Sequence, residues 1–265
     1  FISDFVIKKE HFTGEFGKMY VLPVPNHKIL TKVLIVGLGK RDEFTLNRLR
    51  VLASKVIQKV KTMENVKNVV SMLHGAGCAG FDPAACAKTI VEGTMIGGFS
   101  FDKYKSDVKP TVENFTIAEF DKKNYDKAVI GFEKGLLIGD TINYARELIN
   151  EPAQNVTPAY LADIAENLDL DEVKIYERID IENMQMGAFA AVAQGSAHSP
   201  RFIHMEYMPK KAKKKIVIIG KGITFDAGGL NLKPASSMLT MKDDMSGAAA
   251  VLSIMRNIKK FKPNV

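Results

Sequence analysis

The chain has 265 residues, of which 46% are hydrophobic and 25% are charged, a balance typical of a globular protein with room for two domains. It contains no run of about 18 apolar residues, so the sequence predicts no transmembrane helix. The N-terminal residues lack the layout of a signal peptide, which favours a cytoplasmic protein, and a chain that begins at Phe1 instead of methionine looks cut at its N-terminus.

The net charge of +7 raises the hypothesis of a nucleic-acid partner. Lysine supplies most of the positive charge, whereas arginine, the preferred reader of base edges, is scarce. Two lysine clusters stand out, at 210–215 and 259–262, and the second closes a predicted helix, where cations ordinarily complement the helix dipole. The charge alone therefore does not favour nucleic-acid binding over a solvated surface.

Neither the cysteines nor the histidines are spaced as metal ligands. Cys78 and Cys86 are too few for a disulfide framework, and they lack the histidine partners of a zinc site. We interpret both as reduced, buried thiols. His198 and His204 belong to no ligand motif, so surface or satisfied core positions are expected for them.

Strands and helices alternate along the first half of the chain, which predicts an α/β domain with a largely parallel sheet. The glycines at 37 and 39 do not form a dinucleotide-binding fingerprint, because Asp42 stands where the third glycine belongs. The predicted strands lie at 19–25, 32–39, 66–73 and 111–120, and the predicted helices lie at 45–62 and 82–96.

The middle of the chain begins with one long predicted helix at 124–150, which Pro152 ends because the residue before a proline avoids the helical region. A shorter helix is predicted to start at Thr157-Pro158 and to run to about 168. Strands are predicted at 173–176 and 201–207.

The most informative segment follows, from Lys213 to Lys260. It begins with an apolar, β-branched run, Ile216 to Ile219, which suits a buried strand at the centre of an α/β sheet. An amphipathic helix, roughly Ser246 to Lys260, closes it. Ligands of such sheets bind where strands end and loops begin, and the intervening loop is dense in ionisable side chains: Lys221, Asp226, Lys233, Lys242, Asp243 and Asp244.

This loop has the chemistry of a metal site. Asp226 and Asp244 offer the oxygen ligands that divalent cations take, and Gly228-Gly229 allows a tight turn or a close approach to a ligand. A lysine near bound cations can become a neutral ligand, or it can stay charged and stabilise an oxyanion. An ordinary turn and an ordinary solvated patch are the alternatives, and composition does not decide between these interpretations.

The order of the residues adds a resemblance. Val217 to Pro234 reads V-I-I-G-K-G-I-T-F-D-A-G-G-L-N-L-K-P, and Met241 to Ala249 reads M-K-D-D-M-S-G-A-A. Both stretches resemble the leucyl aminopeptidase family, the cytosol aminopeptidases, which are two-metal peptidases. Weaker matches at 91–105 and 143–158 support it.

The resemblance implies a role for each matching position. Lys221 resembles the family's lysine metal ligand, Asp226 the carboxylate that bridges both metals, and Asp244 a ligand of the tighter metal. Lys233 resembles the catalytic lysine that stabilises the gem-diolate. Met241 resembles a wall of the substrate pocket, although a core methionine is an equal alternative. The same five residues would contact the substrate.

The resemblance also implies an architecture and partners. It predicts a macro-like N-terminal α/β domain at 1–123, a linker helix at 124–150 and an α/β two-metal peptidase domain from 151 to 265. Implied cofactors are two divalent ions, Mn²⁺ or Zn²⁺ with Mg²⁺ or Co²⁺ as alternatives, together with bicarbonate. Implied partners are peptides with a leucine-type N-terminal residue and further copies of the chain in a homo-hexamer, with no membrane.

One departure from the family pattern is large. A later motif, N-T-D-A-E-G-R, supplies two more carboxylate ligands and the arginine that holds bicarbonate, and this sequence does not contain it. We therefore expect this chain alone to be catalytically incomplete, with an exposed sheet edge, exposed apolar surface and poor solubility. The competing hypotheses are a nucleic-acid or nucleotide-binding module without catalysis, and a degenerate paralogue that only assembles.

Overall fold

The computed structural model describes residues 12–25, 27–77, 79–108 and 112–265. The chain divides into two compact units, Phe1–Gly139 and Asp140–Val265. The division falls inside the long helix that the sequence predicts at 124–150. None of the helices in the described ranges has the length and hydropathy needed to cross a membrane.

The first unit mixes strands and helices whose starts follow from local chemistry. The Thr45 hydroxyl accepts a hydrogen bond from the Arg48 backbone N–H, and the Asp82 carboxylate accepts one from that of Ala85, so each side chain caps the helix that follows it. The elements are β1 (Met19–Pro23), β2 (Lys32–Val36), α1 (Leu46–Lys61), β3 (Asn68–Met72), α2 (Pro83–Gly98), β4 (Asn114–Ala118) and α3 (Lys122–Asn150), the last running on into the second unit.

The strands of this unit pair in two separate ways. β1 and β2 are antiparallel, with Met19 opposite Val36, whereas β3 and β4 are parallel, with Asn68 opposite Asn114. The predicted largely parallel sheet is therefore wrong for the first pair, because the short connection after Pro23 permits a hairpin and not a crossover. The apolar run in β2 suggests a buried strand, but the strand is only half-buried.

α1 and α2 enclose the core of the first unit. Leu49 and Ile57 of α1 are buried, as are Cys86 and Ile90 of α2. The prediction of a buried thiol is confirmed for Cys86, while Cys78 lies outside the described residues.

A row of glycines lets α3 approach α2 closely. Gly131, Gly135 and Gly139 recur every four residues and so share one face of the helix. A Cβ added at Gly131 would lie 1.9 Å from the Ala84 carbonyl oxygen, and one at Gly139 would lie 2.5 Å from Met95 Sδ. Only glycine fits at such separations.

The second unit carries the segment that the sequence singles out. Its core joins Leu148 of α3 and Leu161 to Met245 and Leu252. The elements are α4 (Pro158–Glu166), β5 (Glu172–Tyr176), α5 (Arg178–Asn183), α6 (Gly187–Ala193), β6 (Phe202–Glu206), α7 (Ala235–Met238) and α8 (Ser246–Phe261), with β5 and β6 antiparallel. The three short helices among them, α5, α6 and α7, were not predicted.

The predicted strand at 216–219 is wrong for this structure. The segment is not a strand, and Ile216 and Ile219 are 62% and 91% exposed. A strand needs a hydrogen-bonded neighbour, and the described residues supply none, since the only sheet that they form in this unit is the β5–β6 pair. The expected exposed apolar surface is present here.

We expect Gly131→Ala to lower the free energy of unfolding. The added methyl group meets backbone, so α2 and α3 must separate, a cost of about 1–3 kcal/mol that exceeds the gain of up to about 1 kcal/mol from replacing a helical glycine. Urea unfolding followed by circular dichroism measures it. Gly98→Ala is the matched control, because its Cβ would meet only Ile57 Cγ1, at an ordinary 3.6 Å. Equal stability of the two variants would contradict the role of the glycine row.

Candidate active site

Two ion pairs bring the predicted site residues together. Lys221 Nζ lies 3.0 Å from Asp244 Oδ2, and Lys233 Nζ lies 2.8 Å from Asp226 Oδ2. Lys233 Nζ also lies 2.9 Å from Met241 Sδ. The charge of Lys221 acts on Asp226 as well, so all five residues belong to one cluster.

Glycines make the backbone contact on which this cluster is built. A Cβ at Gly220 would lie 2.4 Å from the Gly247 carbonyl oxygen, so the chain before Lys221 touches the first turn of α8. The Ala248 N–H donates to the Lys221 carbonyl at 2.8 Å. Lys221 is thereby held beside the turn that carries Asp244, immediately before α8.

The Asp226 turn has its own backbone requirement. Gly228 has a φ of +92°, a left-handed conformation that side chains disfavour. Its N–H donates to Asp226 Oδ1 at 2.8 Å, and the Lys233 N–H donates to the Ala227 carbonyl at 2.9 Å. These bonds close a loop that returns Lys233 to Asp226.

The other two ionisable residues of the segment have different contacts. Lys242 Nζ donates to the carbonyl oxygen of Asn150 at the end of α3. The Asp243 carbonyl accepts a hydrogen bond from the Ser246 hydroxyl. Both contacts hold the short turn that precedes α8.

The electrostatics of the site favour the ionised form of Asp226. The hydrogen bond from Lys233 is the largest cause that lowers the pKa of Asp226, followed by the Gly228 N–H, and the charges of Lys233 and Lys221 act in the same direction. Asp226 therefore stays negative under ordinary conditions and can act as a base or as a ligand without first losing a proton.

Asp244 has an unsatisfied oxygen. Its Oδ2 is buried and accepts no hydrogen bond, although Lys221 Nζ lies at ion-pair distance, because the orientation of the two groups does not align a donor with the oxygen. A buried carboxylate oxygen without a donor is costly. A divalent cation would satisfy it, so the donor set fits a metal.

A second group of possible metal ligands was missed from the sequence. Within the described ranges, one ligand atom each from Glu172, His204 and Glu206 lies within 4.8 Å of the others. These residues come together because the register of β5 and β6 places Glu172 opposite Glu206. The sequence analysis did not predict this register. Lys174 and Lys215 already pair with these carboxylates, at 2.6 Å and 3.2 Å, which argues for a salt-bridged surface. His198 is exposed, as expected.

A cavity of about 570 Å³ lies apart from the five site residues. Residues of both lysine clusters of the sequence line it. The carboxylate of Asp171, which also lines it, accepts a hydrogen bond from the Met208 N–H at 2.7 Å. Its lining consists of Asp171, Tyr207, Met208, Pro209, Lys210, Lys211, Lys259, Lys262, Pro263 and Asn264.

We expect Lys233→Met to raise the pKa of Asp226 towards its ordinary value of 3.8, because the largest cause of its lowering is removed. The pKa of Asp226 in the folded state lies below its pKa in the unfolded chain. The Lys233–Asp226 pair therefore stabilises the fold at pH values above the unfolded-state pKa, and this stabilisation is lost as the pH falls through the folded-state pKa. A carboxyl-carbon NMR titration without metal measures the shift.

Lys262→Met is the control for this titration, because Lys262 lines the separate cavity. It should leave the Asp226 titration unchanged. An unchanged titration in Lys233→Met would contradict the geometry of the pair.

Comparison with known proteins identifies relatives for both halves of the chain. Residues 4–108 match the profile described as "Cytosol aminopeptidase family, N-terminal domain". Residues 143–265 match "Cytosol aminopeptidase family, catalytic domain". The matches confirm the resemblance of the sequence motifs and the α/β fold class.

Individual relatives agree. Proteins named "Probable cytosol aminopeptidase" from Persephonella marina and Aquifex aeolicus are 37% and 38% identical to this chain over 97% and 98% of its length. A solved structure, "Bottromycin maturation enzyme BotP in complex with Mn", is 27% identical, with a TM-score of 0.80 over 97% of this chain and 53% of that one.

This chain spans about half the length of the curated relatives it matches, 52% of each of the two named. Its first part nevertheless matches the N-terminal domain of one family, and its second part matches the catalytic domain of the same family. The chain belongs to the cytosol aminopeptidase family.

Proposed function

We propose that the protein containing this chain is a metal-dependent aminopeptidase that releases N-terminal residues, of leucine type by preference, from peptides. The observation that carries the proposal is the buried Asp244 Oδ2, which lacks a hydrogen-bond donor and lies beside Lys221 in a cluster with Asp226. Family membership supports the same conclusion.

The residues that would hold metal are Lys221, Asp226 and Asp244, with Asp226 as the residue common to the two ions. Mn²⁺ is the first candidate because the similar BotP structure is a complex with Mn, and Zn²⁺, Mg²⁺ and Co²⁺ suit the same donors. Such ions polarise a carbonyl group and make water nucleophilic at neutral pH.

Lys233 would act on the peptide carbonyl. Its ammonium group is held 2.8 Å from Asp226 Oδ2 and its side chain is 28% exposed, so the group is fixed yet reachable. A fixed cation stabilises the negative charge that develops on the carbonyl oxygen when water attacks. Asp226, whose pKa is lowered, remains charged and keeps Lys233 oriented.

Met241 would bound the pocket for the N-terminal side chain. Its sulfur touches Lys233 Nζ, so an apolar side chain packed on Met241 would lie next to the cation that meets the carbonyl. This adjacency would select apolar N-terminal residues. The preference for leucine, the use of bicarbonate, a homo-hexamer and a cytoplasmic location are parts of the same proposal.

We expect the longest natural protein that contains this chain to hydrolyse leucine p-nitroanilide when Mn²⁺ is added. Lys233→Met should lower kcat by about 10²–10³-fold with little change in KM, because its interaction with the oxyanion strengthens in the transition state. Asp244→Ala should abolish activity. Steady-state kinetics measures both effects.

Lys210→Met is the control for these variants, because Lys210 lines the separate cavity. It should leave kcat and KM unchanged. Absence of hydrolysis by the folded protein with Mn²⁺, Zn²⁺, Co²⁺ and Mg²⁺ would remove the enzyme proposal. Salt-dependent retention on DNA would then favour the binding module, for which the convergence of two lysine clusters on one cavity is the supporting observation.

We expect the same protein to bind two Mn²⁺ ions. A chelator should remove both ions and abolish the activity. Asp226→Asn should weaken both sites, because this residue would serve both ions, whereas Asp244→Asn should weaken one. Electron paramagnetic resonance of free Mn²⁺ gives the stoichiometry. Asp169→Asn is a suitable control, since that carboxylate is 89% exposed and pairs only with Lys259 among the described residues. Equal losses in the Asp226 and Asp244 variants would contradict the shared ligand.

A further inference from the structure

We propose that Lys242 is a positioning residue of this site. Its side chain ties the Met241–Asp244 turn to the end of α3 and so holds Asp244 in place for a metal ion. The inference rests on the proposed function, but it concerns a residue that makes none of the ion pairs of the cluster.

The end of α3 explains why a cation is placed here. The last carbonyl groups of a helix have no backbone donors and carry the negative end of its dipole. α3 ends at Asn150, so the carbonyl of this residue is one of those last groups. Lys242 Nζ donates to the Asn150 carbonyl, so a charged donor from a distant part of the sequence satisfies the helix end.

The turn that carries Lys242 is also held by local contacts, in which the Asp243 N–H donates to the Thr240 carbonyl at 2.8 Å and the Ser246 hydroxyl donates to the Asp243 carbonyl. Its backbone makes one short helical turn, and the Asp244 N–H lies 3.5 Å from the Met241 carbonyl oxygen, at the long limit for a hydrogen bond. Met245, next in the chain, is fully buried and fixes the far side. Lys242 fixes the near side against a rigid helix.

Movement of this turn would displace both of its functional residues. Asp244 Oδ2 is buried 3.0 Å from Lys221 Nζ, and Met241 Sδ lies 2.9 Å from Lys233 Nζ. A metal ligand must be held in one orientation to bind well. Lys242 therefore acts on the metal through Asp244.

The test is Mn²⁺ affinity, measured by titration of the longest natural protein that contains this chain. Lys242→Met keeps the length of the side chain but loses the donor and the charge, and we expect the affinity to fall about 10–100-fold, the usual effect of removing a group that orients a ligand. Lys242→Arg keeps both and should restore most of it. Lys242→Gln, which keeps a neutral donor, takes the place of the methionine variant if circular dichroism shows that the latter is unfolded.

Lys259→Met is the matched control, because it breaks a 2.7 Å ion pair with Asp169 away from the five-residue cluster. It should leave Mn²⁺ affinity unchanged, whereas Asp244→Asn should lower it. If Asp244→Asn lowers affinity and Lys242→Met does not, the positioning role is overturned and the proposed function stands. If Asp244→Asn leaves affinity unchanged, both are overturned. Equal losses in the Met and Arg variants would also overturn the role, since the charge would then not matter.

Discussion

The contact between Gly220 and Gly247 is the constraint on which the candidate site depends. A Cβ on Gly220 would lie 2.4 Å from the Gly247 carbonyl oxygen, which leaves no room for a side chain. The chain can therefore carry Lys221 against the first turn of α8 only because both positions are glycine. The ion pair of Lys221 with Asp244 follows from that approach. The chemistry of the cluster thus begins with two residues that have no side chain.

The charges of the cluster are balanced in two ion pairs. Asp226 and Asp244 face Lys233 and Lys221, so neither carboxylate is an isolated negative charge in a half-buried place, which would be costly. The balance is incomplete at one atom, Asp244 Oδ2. A ligand that satisfies this oxygen therefore has an advantage over the lysine alone.

Helix boundaries in this chain are local properties, which is why the sequence predicts them well. The Thr45, Asp82 and Thr157 side chains each accept a hydrogen bond from the first turn that follows, and the signal lies within a few residues. Strand pairing is not local. Nothing near 216–219 shows whether a neighbouring strand exists, and an apolar run has the same composition whether it is covered or exposed.

The six ionisable residues of the site segment show the same limit at the level of single side chains. The family resemblance implies roles for Lys221, Asp226, Lys233 and Asp244, but it implies none for Lys242. Its partner is a backbone carbonyl, and a carbonyl has no residue identity that a sequence pattern could reveal. Residues that act through the backbone are therefore those that sequence reasoning overlooks, even when they stand next to a recognised ligand.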